Sequence, residues 1–261
     1  MSLNILDRYR KSIEDCFKDV KMIILVCSGK GGVGKTFIST GLAWYISEEY
    51  NDKTVGLLDL DLHGFSTHRF LNIEVPVKDF EEEKGPLKIR ENLHYFSPAI
   101  LIGDNPLPIR GHYREKAVLD ILSSVKWNVD IVIIDMPPGT GEEVIIPCRY
   151  LKSKSYAITV TLMEPVSIKV TERLVDILKD LEIRIIGVVY NMTNYRGLNL
   201  FKVSTNTLLN MYKICEIPYI DCVLDSISRS RSPYTECVEI KTYLKPIVDR
   251  VIVEFEKLSK G

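Results

Sequence analysis

The sequence predicts an α/β fold, a single doubly wound and mostly parallel sheet with helices on both faces. Three observations predict it. Short apolar runs of strand length recur, such as MIILVC at 22–27 and DIVII at 130–134, and such runs suit strands buried on both faces. Amphipathic stretches with helical spacing separate them, the alternation expected of a parallel sheet. The first apolar run leads straight into a glycine-rich segment and then a helical pattern, a strand–loop–helix order.

The elements follow in order. Residues 3–17 carry Leu3, Leu6, Ile13 and Phe17 at roughly helical spacing and predict a short leading helix, set apart as 1–20 from the main domain at 21–261. After the strand at 22–27 and the glycine loop comes a helix at 37–50 (FISTGLAWYISEEY). Strands are expected at 53–60 (KTVGLLDL) and 92–98 (NLHYFSP), a helix at 117–124 and the apolar strand at 130–134. A strand at 156–161, a helix at 166–181 and a strand at 183–190 (IRIIGVVY) continue the alternation. A last short strand at 214–220 and a helical tail at 243–258 complete it. The EEEK run at 81–84 before Gly85-Pro86 reads as a solvated loop. Residues 191–212 are the longest stretch without a pattern, either a recognition loop or a locally packed one.

Bulk properties narrow the function classes. With 46% hydrophobic and 26% charged residues, 261 residues suffice for one large globular domain with its own core. The formal net charge of -1 gives no strong nucleic-acid signal, and Arg229 with Arg231 makes only a weak basic spot. No apolar run approaches the ~18 residues of a membrane span. The amphipathic tail mixes Asp249, Glu254 and Glu256 with Arg250 and Lys257, which suits packing on the domain better than a membrane surface. The six cysteines form no CxxC pair, and the charged N-terminus does not read as a secretory signal, so a reducing, cytoplasmic setting is expected.

Residues 28–36, Ser-Gly-Lys-Gly-Gly-Val-Gly-Lys-Thr, carry the chemistry. Small residues let successive backbone N–H groups face one anion, and the helix N-terminus behind adds partial positive charge. Gly29, Lys30, Gly31, Gly32, Val33, Gly34, Lys35, Thr36 and Phe37 are therefore nucleotide-binding candidates. Lys35 offers a cation to the β- and γ-phosphates and Thr36 a hydroxyl to Mg²⁺. Lys30 is a second lysine that the plain P-loop pattern does not require.

Two further strands end in acids. Asp135 closes IVIID at the carboxyl edge of the sheet, where it can reach the Mg²⁺ shell through water. Gly139, in the Pro137–Gly141 turn that follows, can offer a backbone N–H to the γ-phosphate. In Leu57–Gly64, Asp59 and Asp61 share a strand face. Asp61 is the candidate to orient the attacking water, and Asp59 to support the Mg²⁺ shell. Asn191 ends the strand before the long loop. Its amide suits the edge of adenine, though a turn residue would read the same way. His63 and His68 lack a third ligand at metal spacing.

These residues resemble a known family. Lys30–Thr36 is similar to the deviant Walker A motif of the ParA/MinD superfamily of P-loop ATPases. Within it, the segment DLDLHG at 59–64, Ile109-Arg110-Gly111, Trp127, DMPPGTG at 135–141 and Val189-Tyr190-Asn191-Met192 resemble the Mrp/Nbp-type ATPases of iron–sulfur cluster assembly, with Tyr190 in place of that family's Glu. The likeness runs from about residue 20 onward. It implies an ATP-dependent homodimer with Mg²⁺, in which Lys30 crosses to the partner's phosphates, Asp61 places water and Asn191 contacts adenine. An iron–sulfur apoprotein or assembly partner is implied too. Cluster-carrying members have a CxxC pair after Asn-Met; here residues 193–202 contain no cysteine, which puts a bound iron–sulfur cluster in doubt, and Cys215 with Cys222 read either as inert structural thiols or as ligands of a bridging cluster. The competing reading is a positioning or partitioning ATPase of the ParA or MinD kind, with no cluster role.

Overall fold

The computed structural model describes residues 3–62, 64–75, 85–102, 113–195 and 208–258. Among these, eight strands form one sheet in the order β3-β4-β2-β5-β1-β6-β7-β8. The strands are β1 (Met22–Cys27), β2 (Val55–Asp59), β3 (Leu87–Arg90), β4 (Leu93–Phe96), β5 (Ile131–Asp135), β6 (Ser155–Leu162), β7 (Arg184–Asn191) and β8 (Lys213–Glu216). Every pairing is parallel except β3 with β4. The expected class is the observed one. β1, β2 and β5 are buried at every position, which requires cover on both faces of the sheet.

The helices are α1 (Leu3–Cys16), α2 (Lys35–Glu49), α3 (Thr67–Leu71), α4 (Ala99–Ile102), α5 (Tyr113–Ser124), α6 (Glu142–Leu151), α7 (Pro165–Asp180), α8 (Asp221–Ser228), α9 (Pro233–Glu236) and α10 (Glu239–Leu258). One group packs α1 on α5 and α6; another packs α2 against α3 and α10. α1 sinks Ile13 and Cys16, and Phe17 just after it, into the main core. Trp127 locks α1 to the segment before β5: its backbone N–H donates to Cys16 O at 2.9 Å, and its ring fills the space where a Cβ on Gly56 would lie.

Several boundaries differ from the sequence reading. The strand expected at 214–220 is only Lys213–Glu216, after which the chain runs through Pro218 into α8. The tail helix begins at Glu239 and carries Pro246 in its interior. Its apolar face packs inward: Ile247, Val248, Val251, Ile252 and Phe255 are buried, while Leu258 stays exposed. The sequence reading omitted β3, a short edge strand with two cations in four residues, and α6, whose pattern Pro147 interrupts. Cys222 is not a free thiol; it forms a disulfide with Cys237. Residues 103–112, which include the Ile109-Arg110-Gly111 segment, and most of the 191–212 loop lie outside the described residues.

Candidate nucleotide site

The sheet order reverses beside β1. The chain fills β2, β5 and β4 on one side of it and β6, β7 and β8 on the other, which opens a crevice at the carboxyl end of β1. Residues 28–34 lie there and lead into α2. Gly32 and Gly34 have φ of +77° and +86°, values that side chains rarely tolerate. Gly31 and Gly32 face open space, where backbone N–H groups can meet an anion.

Strand register gathers the acids. Asp59 and Asp135 sit opposite one another on β2 and β5. Lys35 Nζ lies 2.8 Å from Asp135 Oδ1 and 4.0 Å from Asp61 Oδ2. Burial alone would depress the Lys35 ammonium, but the carboxylates of Asp135, Asp61 and Asp59 outweigh it and hold it above the ordinary value. Thr36 Oγ1 donates to Asp135 Oδ2 at 2.8 Å. Mg²⁺ prefers oxygen donors and keeps part of its water shell, so Thr36 and Asp135 fit that ion. Among the described residues no group of three or more His, Cys, Asp or Glu is arranged for a metal. His63 lies outside them.

Asp59 holds structure more than it faces the crevice. It is fully buried; Oδ1 accepts the Asp61 N–H at 3.1 Å, and Oδ2 accepts the Thr67 hydroxyl at 2.7 Å. Burial first, and the Asp135 carboxylate second, push its pKa up. It therefore organises the turn that carries Asp61. Gly139 also differs from expectation. Its N–H donates to Ser28 O at 2.8 Å, joining the Asp135 turn to the start of the loop instead of pointing at a phosphate. The strand hydrogen bond it extends is Met136 N–H to Val26 O, 3.1 Å.

Asn191 ends β7 directly against the loop. Its Nδ2 donates to Val33 O at 2.9 Å, and a Cβ on Gly34 would overlap it. Beside it opens a cavity of about 120 Å³ lined by Phe37, Phe70, Asn191, Met192, Pro218 and Leu224, among others. Apolar walls with one amide suit a purine ring. Sequence reasoning found Phe37 and Asn191 but missed Phe70 and the Pro218–Leu224 wall. Tyr234, also missed, donates its hydroxyl to Phe37 O at 2.7 Å and bonds Thr40, fixing the first turns of α2. Tyr195 packs on Tyr219 with centroids 4.4 Å apart; residues 196–207 of that loop lie outside the described residues. Lys30 forms an ion pair with Glu164 of its own chain.

Comparison with known proteins assigns the family. A family model described as ParA, the NUBPL iron-transfer P-loop NTPases, matches residues 19–205. The chain belongs to this family. It is a P-loop ATPase of the Mrp/Nbp type within the ParA/MinD superfamily. The cytosolic Fe-S cluster assembly factor NUBP2 homolog of Nematostella vectensis is 34% identical over 227 residues, 79% of this chain and 80% of that protein. The Nubp1 homolog of Drosophila pseudoobscura pseudoobscura is 30% identical over 249 residues, 85% of this chain and 80% of its own length. Among solved structures, the nucleotide-binding protein of Archaeoglobus fulgidus in complex with ADP has a TM-score of 0.68 at 23% identity, covering 90% of this chain and 96% of that one. The cell division ATPase MinD of Pyrococcus furiosus also has a TM-score of 0.68, at 16% identity, covering 89% and 98%. These two likenesses are of fold. No helix among the described residues is long and apolar enough to cross a membrane.

Proposed function

We propose that this chain binds Mg-ATP, hydrolyses it slowly as a homodimer, and acts in cytoplasmic iron–sulfur cluster assembly without carrying a bridging cluster of its own. The observation that carries the reading is the convergence of Lys35, Thr36, Asp61 and Asp135 at the carboxyl ends of three adjacent strands. The names of the Nubp1 and NUBP2 relatives support the assembly role. The sequence supports the absence of a bridging cluster: residues 193–202 hold no cysteine, and Cys222 is tied to Cys237. The buried apolar face of α10 speaks against the positioning-ATPase alternative, since that face is not free to lie on a surface.

In this mechanism the loop N–H groups and Lys35 bind the β- and γ-phosphates. Lys35 exchanges its carboxylate partners for phosphate oxygens. Thr36 and Asp135 would hold Mg²⁺, which would supply charge neutralisation for the transferring phosphoryl group. Asp61 orients a water in line with the γ-phosphorus. The bond to the β-phosphate oxygen breaks as the water oxygen attacks, giving ADP and phosphate. Asn191 and the cavity beside it take the adenine. Lys30 serves the partner's phosphates.

Calorimetry and turnover assays test the reading together. Lys35→Ala should lose nucleotide binding, and Asp61→Ala should keep ATP affinity while turnover falls by about 10²-fold or more. Wild type unable to bind ATP or ADP with Mg²⁺ would refute it. Anaerobic iron–sulfide reconstitution should give no stoichiometric cluster absorbance.

A further inference from the structure

The Lys30–Glu164 ion pair has no function within the phosphate site just described. The two side chains are 34% and 25% exposed, so the pair is neither free in water nor sealed in the core. Glu164 is the N-cap of α7, with extended backbone (φ -130°, ψ 148°) and Pro165 after it. Short side chains at that place, aspartate among them, commonly turn back onto the first helix N–H groups. Glu164 makes no such cap and gives its carboxylate to Lys30. The helix dipole favours the charged carboxylate there.

The helix and the loop are braced against each other. A Cβ on Gly29 would come within 2.8 Å of the Val170 carbonyl carbon, so the second turn of α7 rests on the loop backbone next to Lys30. Val166, two residues after Glu164 in the first turn of α7, is an apolar side chain left 67% exposed.

We propose that Glu164 is a positioning residue that holds Lys30 within its own subunit and yields it when a second copy presents its bound nucleotide. The proposal rests on the dimeric reading above. One ammonium cannot serve the carboxylate on its own α7 and the phosphates of a facing subunit together. Each dimer therefore breaks two Lys30–Glu164 pairs, and Glu164 sets the protein concentration at which ATP assembles the dimer.

The test measures the dimer dissociation constant by analytical ultracentrifugation in saturating Mg-ATP, in an Asp61→Ala background so that the nucleotide persists. Glu164→Gln should tighten the dimer about 2- to 30-fold, the range for losing two half-exposed ion pairs from the monomer side. Glu164→Asp keeps the charge but draws it back by one methylene, and should fall between. Lys30→Ala should weaken the dimer, and adding Glu164→Gln to Lys30→Ala should change nothing further, which a merely structural role for Glu164 would not give. A dimer that forms but is unmoved or weakened by Glu164→Gln overturns the latch and leaves the dimer standing. A chain that stays monomeric in Mg-ATP at every concentration overturns the dimeric reading and the latch with it.

Discussion

Asn191 does two things with one amide. Its Nδ2 supports the phosphate loop through Val33 O, and its side chain lines the apolar cavity beside α2. Asn191→Ala removes a buried hydrogen bond worth about 1 kcal/mol and leaves a carbonyl unpaired, so ATP affinity by calorimetry should fall about tenfold. Asn191→Asp should be worse, because a carboxylate would then face the Val33 carbonyl, acceptor against acceptor. Gly34 is equally constrained: it has a positive φ, and any Cβ would strike the Asn191 amide. Gly34→Ala should therefore abolish nucleotide binding with the fold otherwise retained by circular dichroism. The glycines, Lys35, Thr36 and Asp135 were legible in the sequence because one short segment and one strand end carry them. Phe70 and the Pro218–Leu224 wall were not, because the fold assembles that cavity from four separate segments between residues 34 and 224. Asp59 was legible as a site acid but not in its task, which depends on Thr67 folding back over it.

At the scale of elements, the segment between Cys222 and Cys237 is the least expected part of the fold. It carries α8, which forms one wall of the cavity, and α9, whose Tyr234 is bonded to the first turns of α2. The disulfide joins its two ends across a sequence separation of 15. A loop of that size constrains the unfolded chain by about 3 kcal/mol, so reduction should lower the melting temperature by roughly 5–10 °C in a calorimetric scan. Alkylation in denaturant, read by intact mass, should give four adducts before reduction and six after it. In the native protein the four free thiols should react slowly. Burial raises all of them, Cys215 to about 11 and Cys148 to about 12, so little thiolate exists near pH 8. Nothing in the spacing of these cysteines pointed to the bond. The long apolar strands and amphipathic helices were legible because burial on both faces leaves an unbroken apolar run. The edge strand β3 was not, since a half-exposed strand keeps its charges and loses that signature.

For the whole molecule, the proposed nucleotide site draws its residues from both sides of β1. Asp61 and Asp135 come from the β2–β5 side, and Asn191 with the α8 wall comes from the β7–β8 side; the loop after β1 lies between them. A ligand held by both sides stabilises the folded chain in proportion to its occupancy, by about 2.7 kcal/mol at one hundred times its dissociation constant. That amount should raise the melting temperature by roughly 5–10 °C in Mg-ADP. Removing the metal with EDTA should shrink the shift, because the carboxylates of Asp61 and Asp135 then lie close to the phosphates, offset by Lys35 but not by the metal. Lys35→Ala should give no shift under either condition, and Asp61→Ala should give the full shift or more, since it removes an anion from the binding site without removing a phosphate ligand. Equal shifts for wild type and Lys35→Ala would mean that the nucleotide binds somewhere other than the crevice at the end of β1.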